Sequence, residues 1–149
     1  MPNTNTNTTR TLAAVDYQRL ASFRYALRSF LHFSESAAAA IGLTGQQYQA
    51  LLVLRSRGDR APVSINDLAH ELLIRHNSAV GLADRLAAQG LVVRKPVPED
   101  RRKVRLELTR KGAQVLGRLA TIHRAKLLRI GPEIHRILRG LNSAFHEPE

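Results

Sequence analysis

Asp100-Arg101-Arg102-Lys103 sets three cations behind one carboxylate, with Arg94, Lys95 and Arg105 close by. A guanidinium on a narrow projection can enter the minor groove of duplex DNA and sit in its negative potential. Asp100 would repel phosphate if it were free. It is expected to pair with a neighbouring arginine and hold that fork in position. Upstream, His76, Asn77, Ser78, Gly81 and Arg85 share one side of a helical pattern whose other side carries Leu82 and Leu86. Such polar side chains reach base edges in a major groove. Asn77 suits adenine, and Arg85 suits guanine or a phosphate. Ser78 and the amides of a helix start suit a phosphate. Gly81 lowers helix propensity. It either permits a close backbone approach or is an ordinary surface glycine.

These residues need a frame, and residues 63–109 supply its pattern. Thr44 with Gln47, and Ser64 with Asp67, have the spacing of capping boxes at the starts of two helices. A further helix is expected to start at Asn77 or Ser78, after a turn over residues 73–77, and to end at Gly90 in a left-handed cap. Residues 91–94 open a strand. Pro96 and Pro98 mark a hairpin loop with Asp100-Arg101-Arg102 at its tip. Val104, Leu106 and Leu108 alternate with Arg105 and Glu107 as a half-buried strand. The two ends of the chain are helical. Residues 14–40 lack Gly and Pro, and Leu20, Phe23, Leu27, Phe30 and Leu31 form one apolar face. Thr109 caps a fifth helix, Gly131-Pro132 interrupts it, and Ile134, Ile137, Leu138, Leu141 and Phe145 make a last one. The expected fold is mainly α with a small β-hairpin. Residues 42–111 form a winged helix-turn-helix, 12–41 and 112–149 a helical dimerisation region, and 1–11 a loose tail.

Bulk properties narrow the function. The 149 residues carry a formal charge of +11, and residues 55–111 hold +6 of it. Such a surplus favours a polyanionic partner. Cysteine is absent, which excludes disulfides and thiolate metal sites and suits the cytoplasm. No apolar run reaches transmembrane length, so no membrane partner is expected. His32, His70, His76, His123, His135 and His146 are scattered without a ligand spacing, so neither metal nor cofactor is expected. No phosphate-binding glycine loop or nucleophile elbow is present, which argues against an enzyme.

A small-molecule site has a modest basis. Tyr17, Tyr25, His32 and Tyr48 concentrate polar aromatics near the long helices, and Arg24 or Arg28 could meet a carboxylate. The same aromatics could simply pack a dimer core.

Taken together, Asp84-Arg85-Leu86, Gly90-Leu91-Val92, Asp100-Arg101-Arg102, Leu108-Thr109 and Gly112 resemble the MarR family of transcriptional regulators. Leu43-Thr44, Gln47-Tyr48 and Leu68-Ala69 agree, and the resemblance runs from Tyr17 to Phe145. It implies a homodimer whose two recognition helices enter successive major grooves of a pseudo-palindromic site in double-stranded DNA. Arg102 would be the wing residue that inserts. It also implies a repressor released by a small-molecule effector such as a phenolic or aromatic acid. One departure is Val80-Gly81, where the family commonly carries Thr or Ser and then Arg. His76-Asn77-Ser78 would then carry more of the base contact. Two other readings share these residues: a basic architectural DNA binder without an effector, and a protein-interaction module built on the long helices.

Overall fold

The computed structural model describes residues 11–143. Residues 1–10 of the expected tail, together with Phe145 and His146, lie outside the described residues. In chain order the elements are α1 (Ala14–Ala39), α2 (Gly45–Arg57), a 3-10 turn (Gly58–Arg60), α3 (Ile65–Leu72), α4 (His76–Ala88), β1 (Val92–Val97), β2 (Asp100–Leu108) and α5 (Arg110–Ser143). Chain contacts divide them into two units. One comprises residues 31–127. The other comprises residues 1–30 and 128–149, of which 11–30 and 128–143 are described.

The helix starts follow local chemistry. The Gln47 amide donates to Thr44 Oγ1, while Thr44 donates its own amide to Gln47 Oε1, so two orphan donors of α2 are satisfied reciprocally. Ser64 and Asp67 repeat the arrangement at α3, at 3.0 and 3.1 Å. Thr109 Oγ1 accepts the Gly112 amide at 3.0 Å and starts α5. Gly90 adopts φ 72 just after α4, the left-handed geometry a glycine tolerates without a Cβ penalty. Leu73 is the positive-φ non-glycine residue among those described, at φ 55. It closes α3, donates its amide to the His70 carbonyl, and turns the chain toward α4.

In the unit of residues 31–127 the core is continuous. Leu51, Leu68, Leu82, Leu86, Val92 and Leu119 are fully buried. These side chains come from α2, α3, α4, β1 and α5, so burial of one leucine set fixes where α4 lies. The two-stranded antiparallel hairpin is extended by a bridge from Val63 to Leu106. Gly112 lets α5 start directly against β1: a Cβ there would overlap the Leu91 carbonyl oxygen. In the other unit Arg19 pairs with Asp16 at 3.7 Å and lies against Gly140. None of residues 11–30 or 128–141 is buried.

Three expectations about elements are corrected. Gly131-Pro132 does not interrupt the C-terminal helix, and α5 runs unbroken through it. A proline removes one backbone donor and crowds one carbonyl, which a long helix can absorb by local adjustment. The recognition helix begins at His76, not at Asn77 or Ser78, with Arg75 as an N-cap that makes no side-chain hydrogen bond. The hairpin tip is Pro98-Glu99. Pro96 pairs with Val104 inside β1, and Asp100-Arg101-Arg102 belongs to β2. Proline is tolerated there because the two-stranded ribbon leaves β1 as an edge.

Candidate nucleic-acid interface

The 3.6-residue period of α4 sorts its side chains. Ala79, Leu82, Ala83 and Leu86 are buried, while His76, Asn77, Ser78 and Arg85 are exposed. Gly81 is half-buried, and a Cβ on it would come 3.4 Å from the Arg85 guanidinium. The glycine therefore sits under a flexible cation rather than against a packed backbone. His76 is tied to the preceding helix: its Nδ1 meets Asn66 Oδ1 at 2.6 Å.

The other end of α4 is held as firmly. Leu91 donates its amide to the Leu86 carbonyl, Thr109 donates through N–H to Leu91 and through its hydroxyl to Gly90, and Lys111 donates to the Gln89 carbonyl at 2.9 Å. Gln47, buried at the start of α2, donates to Gln89 Oε1 at 3.0 Å. Lys111 and Gln47 tie the C-cap residue of α4 to α5 and α2, and Thr109 ties down the two residues that follow it.

On the wing, pairing passes from Pro96↔Val104 to Val97↔Asp100. Arg101, Arg102 and Lys103 fall in that irregularity, which bends the strand and re-aims side chains. All three are exposed, and no ion pair engages them among the described residues. The flanking cations differ. Arg94 is hydrogen-bonded to Asp84 of α4, joining wing to helix. Lys95 and Arg105 both meet Glu107, each at 2.9 Å. The Lys95 hydrogen bond is the main reason the Glu107 carboxyl titrates below its usual range. Asp100 does not pair with an arginine side chain as expected. Its Oδ1 accepts the Arg102 backbone amide at 3.0 Å. An aspartate two residues before a free N–H makes this local bond more readily than it immobilises a long side chain.

Between the wing and the starts of α3 and α4 lies a groove of about 690 Å³. Ser64, Asn66 and His76 line one side, and Arg102, Lys103 and Arg105 the other. Behind it, Arg57 of α2 reaches Glu71 at 2.8 Å and Asp67 at 3.9 Å. The Ser64 amide, donating to the Asp67 carboxylate, is the largest of the influences that hold that carboxyl below its ordinary pKa.

The aromatic candidates behave unequally. Tyr17, Arg24, Tyr25 and Arg28 are exposed on the first part of α1, and His32 is exposed further along it. Tyr48 is buried and stacks on His123 at 4.1 Å, and burial raises its phenol pKa. It is a core side chain, not the wall of an open cleft. His123 itself donates from Nδ1 to the Leu119 carbonyl at 2.7 Å, and its Nε2 meets the Ser34 hydroxyl at 2.8 Å. Sequence reasoning missed the linking residues Asn66, Asp84 and Lys111. Only Asp84 carried a signal, as a carboxylate beside Arg85 on a helix followed by a basic strand. Among the described residues no group of His, Cys, Asp or Glu could hold a metal ion, and no helix is long and apolar enough to cross a membrane.

Helix, turn, recognition helix and antiparallel wing define a winged helix-turn-helix. Residues 41–103 match the model described as the MarR family. Over that segment, which is less than half of the chain, it is similar to the MarR family. It is similar to the HTH-type transcriptional regulator PecS of Dickeya dadantii, with 30% identity over 81 residues, 54% of this chain and 49% of that protein. It is also similar to the HTH-type transcriptional repressor NicR of Pseudomonas putida, with 39% identity over 74 residues, 50% of this chain and 45% of that protein. The chain thus spans about half the length of each. In fold it is similar to the S. aureus MepR F27L mutant bound to an oligodeoxyribonucleotide, with a TM-score of 0.66, 17% identity, and coverage of 87% of this chain and 98% of that one.

Proposed function

We propose that this chain is a sequence-specific transcriptional regulator that binds double-stranded DNA, with α4 in a major groove and the bulged edge of β2 beside the minor groove. One observation carries the reading. Exposed His76, Asn77, Ser78 and Arg85 on α4 accompany Arg101, Arg102 and Lys103 on β2, and these three wing cations have no ion-pair partner among the described residues. Arg94 is then a brace that joins wing and helix through Asp84 rather than a direct DNA contact. Arg102→Ala tests the proposal on the full chain. Its affinity for the chain's own upstream promoter fragment should fall about tenfold or more, with a salt slope shallower by about one. Equal affinity and an unchanged slope, read by fluorescence anisotropy, overturn it.

The regulator is further proposed to be a homodimer acting in the cytoplasm, with residues 12–41 and 112–149 as the dimerisation region and 42–111 as the reading head. The exposed apolar side chains of Leu20, Leu27, Leu128 and Leu138 support an assembly. Two heads about 34 Å apart would suit a pseudo-palindromic operator. Repression relieved by a phenolic or aromatic acid completes the proposal; the repressor named among the relatives supports its sign. Effector and DNA would be linked by about 1–3 kcal/mol. An aromatic acid that binds the protein but leaves promoter affinity unchanged would sink the coupling.

A further inference from the structure

His76 and Asn66 meet where α4 and α3 begin. Asn66 is the second residue of α3, His76 is the first of α4, and Nδ1 lies 2.6 Å from Oδ1. An amide oxygen has no proton to give, so with Asn66 Oδ1 facing the ring this contact is a hydrogen bond when the proton sits on Nδ1. A neutral imidazole has one N–H, and Nε2 is left with its lone pair. Asn66 is available for this because the capping of α3 is done by Ser64 and Asp67. Both side chains line the groove that faces Arg102, Lys103 and Arg105, whose side chains can only donate. In that form His76 places an acceptor in a groove whose lining also holds the Asp67 carboxylate and, from the wing, the donors of Arg102, Lys103 and Arg105.

We propose that Asn66 is a positioning residue that holds His76 in its Nδ1–H form, and that His76 thereby selects an amino base over a keto base at one position of each DNA site. The proposal rests on the DNA-binding reading above. In the major groove adenine offers its N6 amine and cytosine its N4 amine, whereas the outer groups of guanine and thymine are carbonyl acceptors. Nε2 accepts from the first pair. Against the second, two acceptors face each other and one is left unsatisfied, which is the costlier outcome. The same logic removes neutral His76 from phosphate binding, because phosphate oxygens only accept. Backbone contacts then fall to Ser78 and the wing cations.

Two measurements on the full chain test this. In a two-bond proton–nitrogen spectrum with 15N-labelled histidine, His76 should show the Nδ1–H pattern in the wild type and in Asn66→Asp, whose carboxylate accepts the same proton. Asn66→Ala should lose it. A wild-type ring in the Nε2–H form overturns the proposal without any DNA present. The second measurement selects from a pool of random duplexes. Wild type and Asn66→Asp should favour A or C about tenfold over G or T at one position per site, and Asn66→Ala and His76→Phe should lose that preference. The same preference in all four proteins overturns the proposal. A wild type with the Nδ1–H ring that selects no duplex overturns the DNA reading instead, so the two failures are told apart.

Discussion

The unit of residues 31–127 and the described segments 11–30 and 128–143 use similar leucine-rich helices to opposite ends. In the first, Leu51, Leu68, Leu82 and Leu86 are completely buried. In the second no side chain of residues 11–30 or 128–141 is buried, and Leu20 is 42% exposed, Leu138 46% and Leu128 68%. Both carry apolar residues at helical spacing. The difference is closure: the first unit surrounds its leucines with α2, α3, the hairpin and part of α5, whereas the second has only the start of α1 and the end of α5. Hydrophobic area left in water on one copy is area that association can bury. The contrast places the stabilising core in the wing-bearing unit, and the exposed leucines of the helical ends are what the proposed assembly rests on.

The largest effect should come from breaking that closure. Leu86→Ala removes a fully buried side chain behind the recognition face and should cost about 2–5 kcal/mol in urea unfolding. Leu20→Ala should leave the unfolding of the isolated chain within about 1 kcal/mol, yet weaken self-association in sedimentation. Equal losses of chain stability would erase the distinction. Gly112→Ala comes next. Its methyl would overlap the Leu91 carbonyl oxygen, and the resulting shift of α5 against β1 should cost about 1–3 kcal/mol of thermal stability.

Acid should also act on the closed unit. Asp67 has a depressed pKa, so its contribution to stability is complete above the ordinary aspartate value of about 3.9. It is lost as the pH falls through that value toward the lower folded one. Asp67→Asn should flatten the stability–pH curve in that acid window and leave its shape at neutral pH unchanged; an unaltered acid limb counts against the Ser64 bond as the cause. The smallest effect is a gain. Gly81→Ala should raise stability by about 0.5–1 kcal/mol, because its Cβ meets only a movable guanidinium. A loss in thermal unfolding would mean that Arg85 is held in place.

Much of the closed unit was legible because its signals are local. Capping pairs at Thr44 and Ser64, the turn at Gly90, the cap at Thr109 and the alternation of Val104, Leu106 and Leu108 each depend on residues a few positions apart. The wing was legible in composition but not in geometry. Asp100 beside three cations suggested an ion pair, yet the nearer backbone amide of Arg102 took its carboxylate. Arg94 looked like one more basic side chain until Asp84 came across from α4. Pro132 read as a break because a proline's local penalty is visible, whereas the capacity of the surrounding helix to absorb it is not.

From its own residues the chain determined the helical periods, the caps, the hairpin and the basic surplus around residues 55–111, since each is set by short-range sterics, hydrogen bonding or charge. Tertiary structure alone decided which cations would be paired and which exposed, that Tyr48 would be buried against His123, and that Asn66 would meet the first residue of the recognition helix. Those outcomes depend on side chains from different elements arriving within about 3–4 Å of one another, and burial of a shared leucine core is what brings them there.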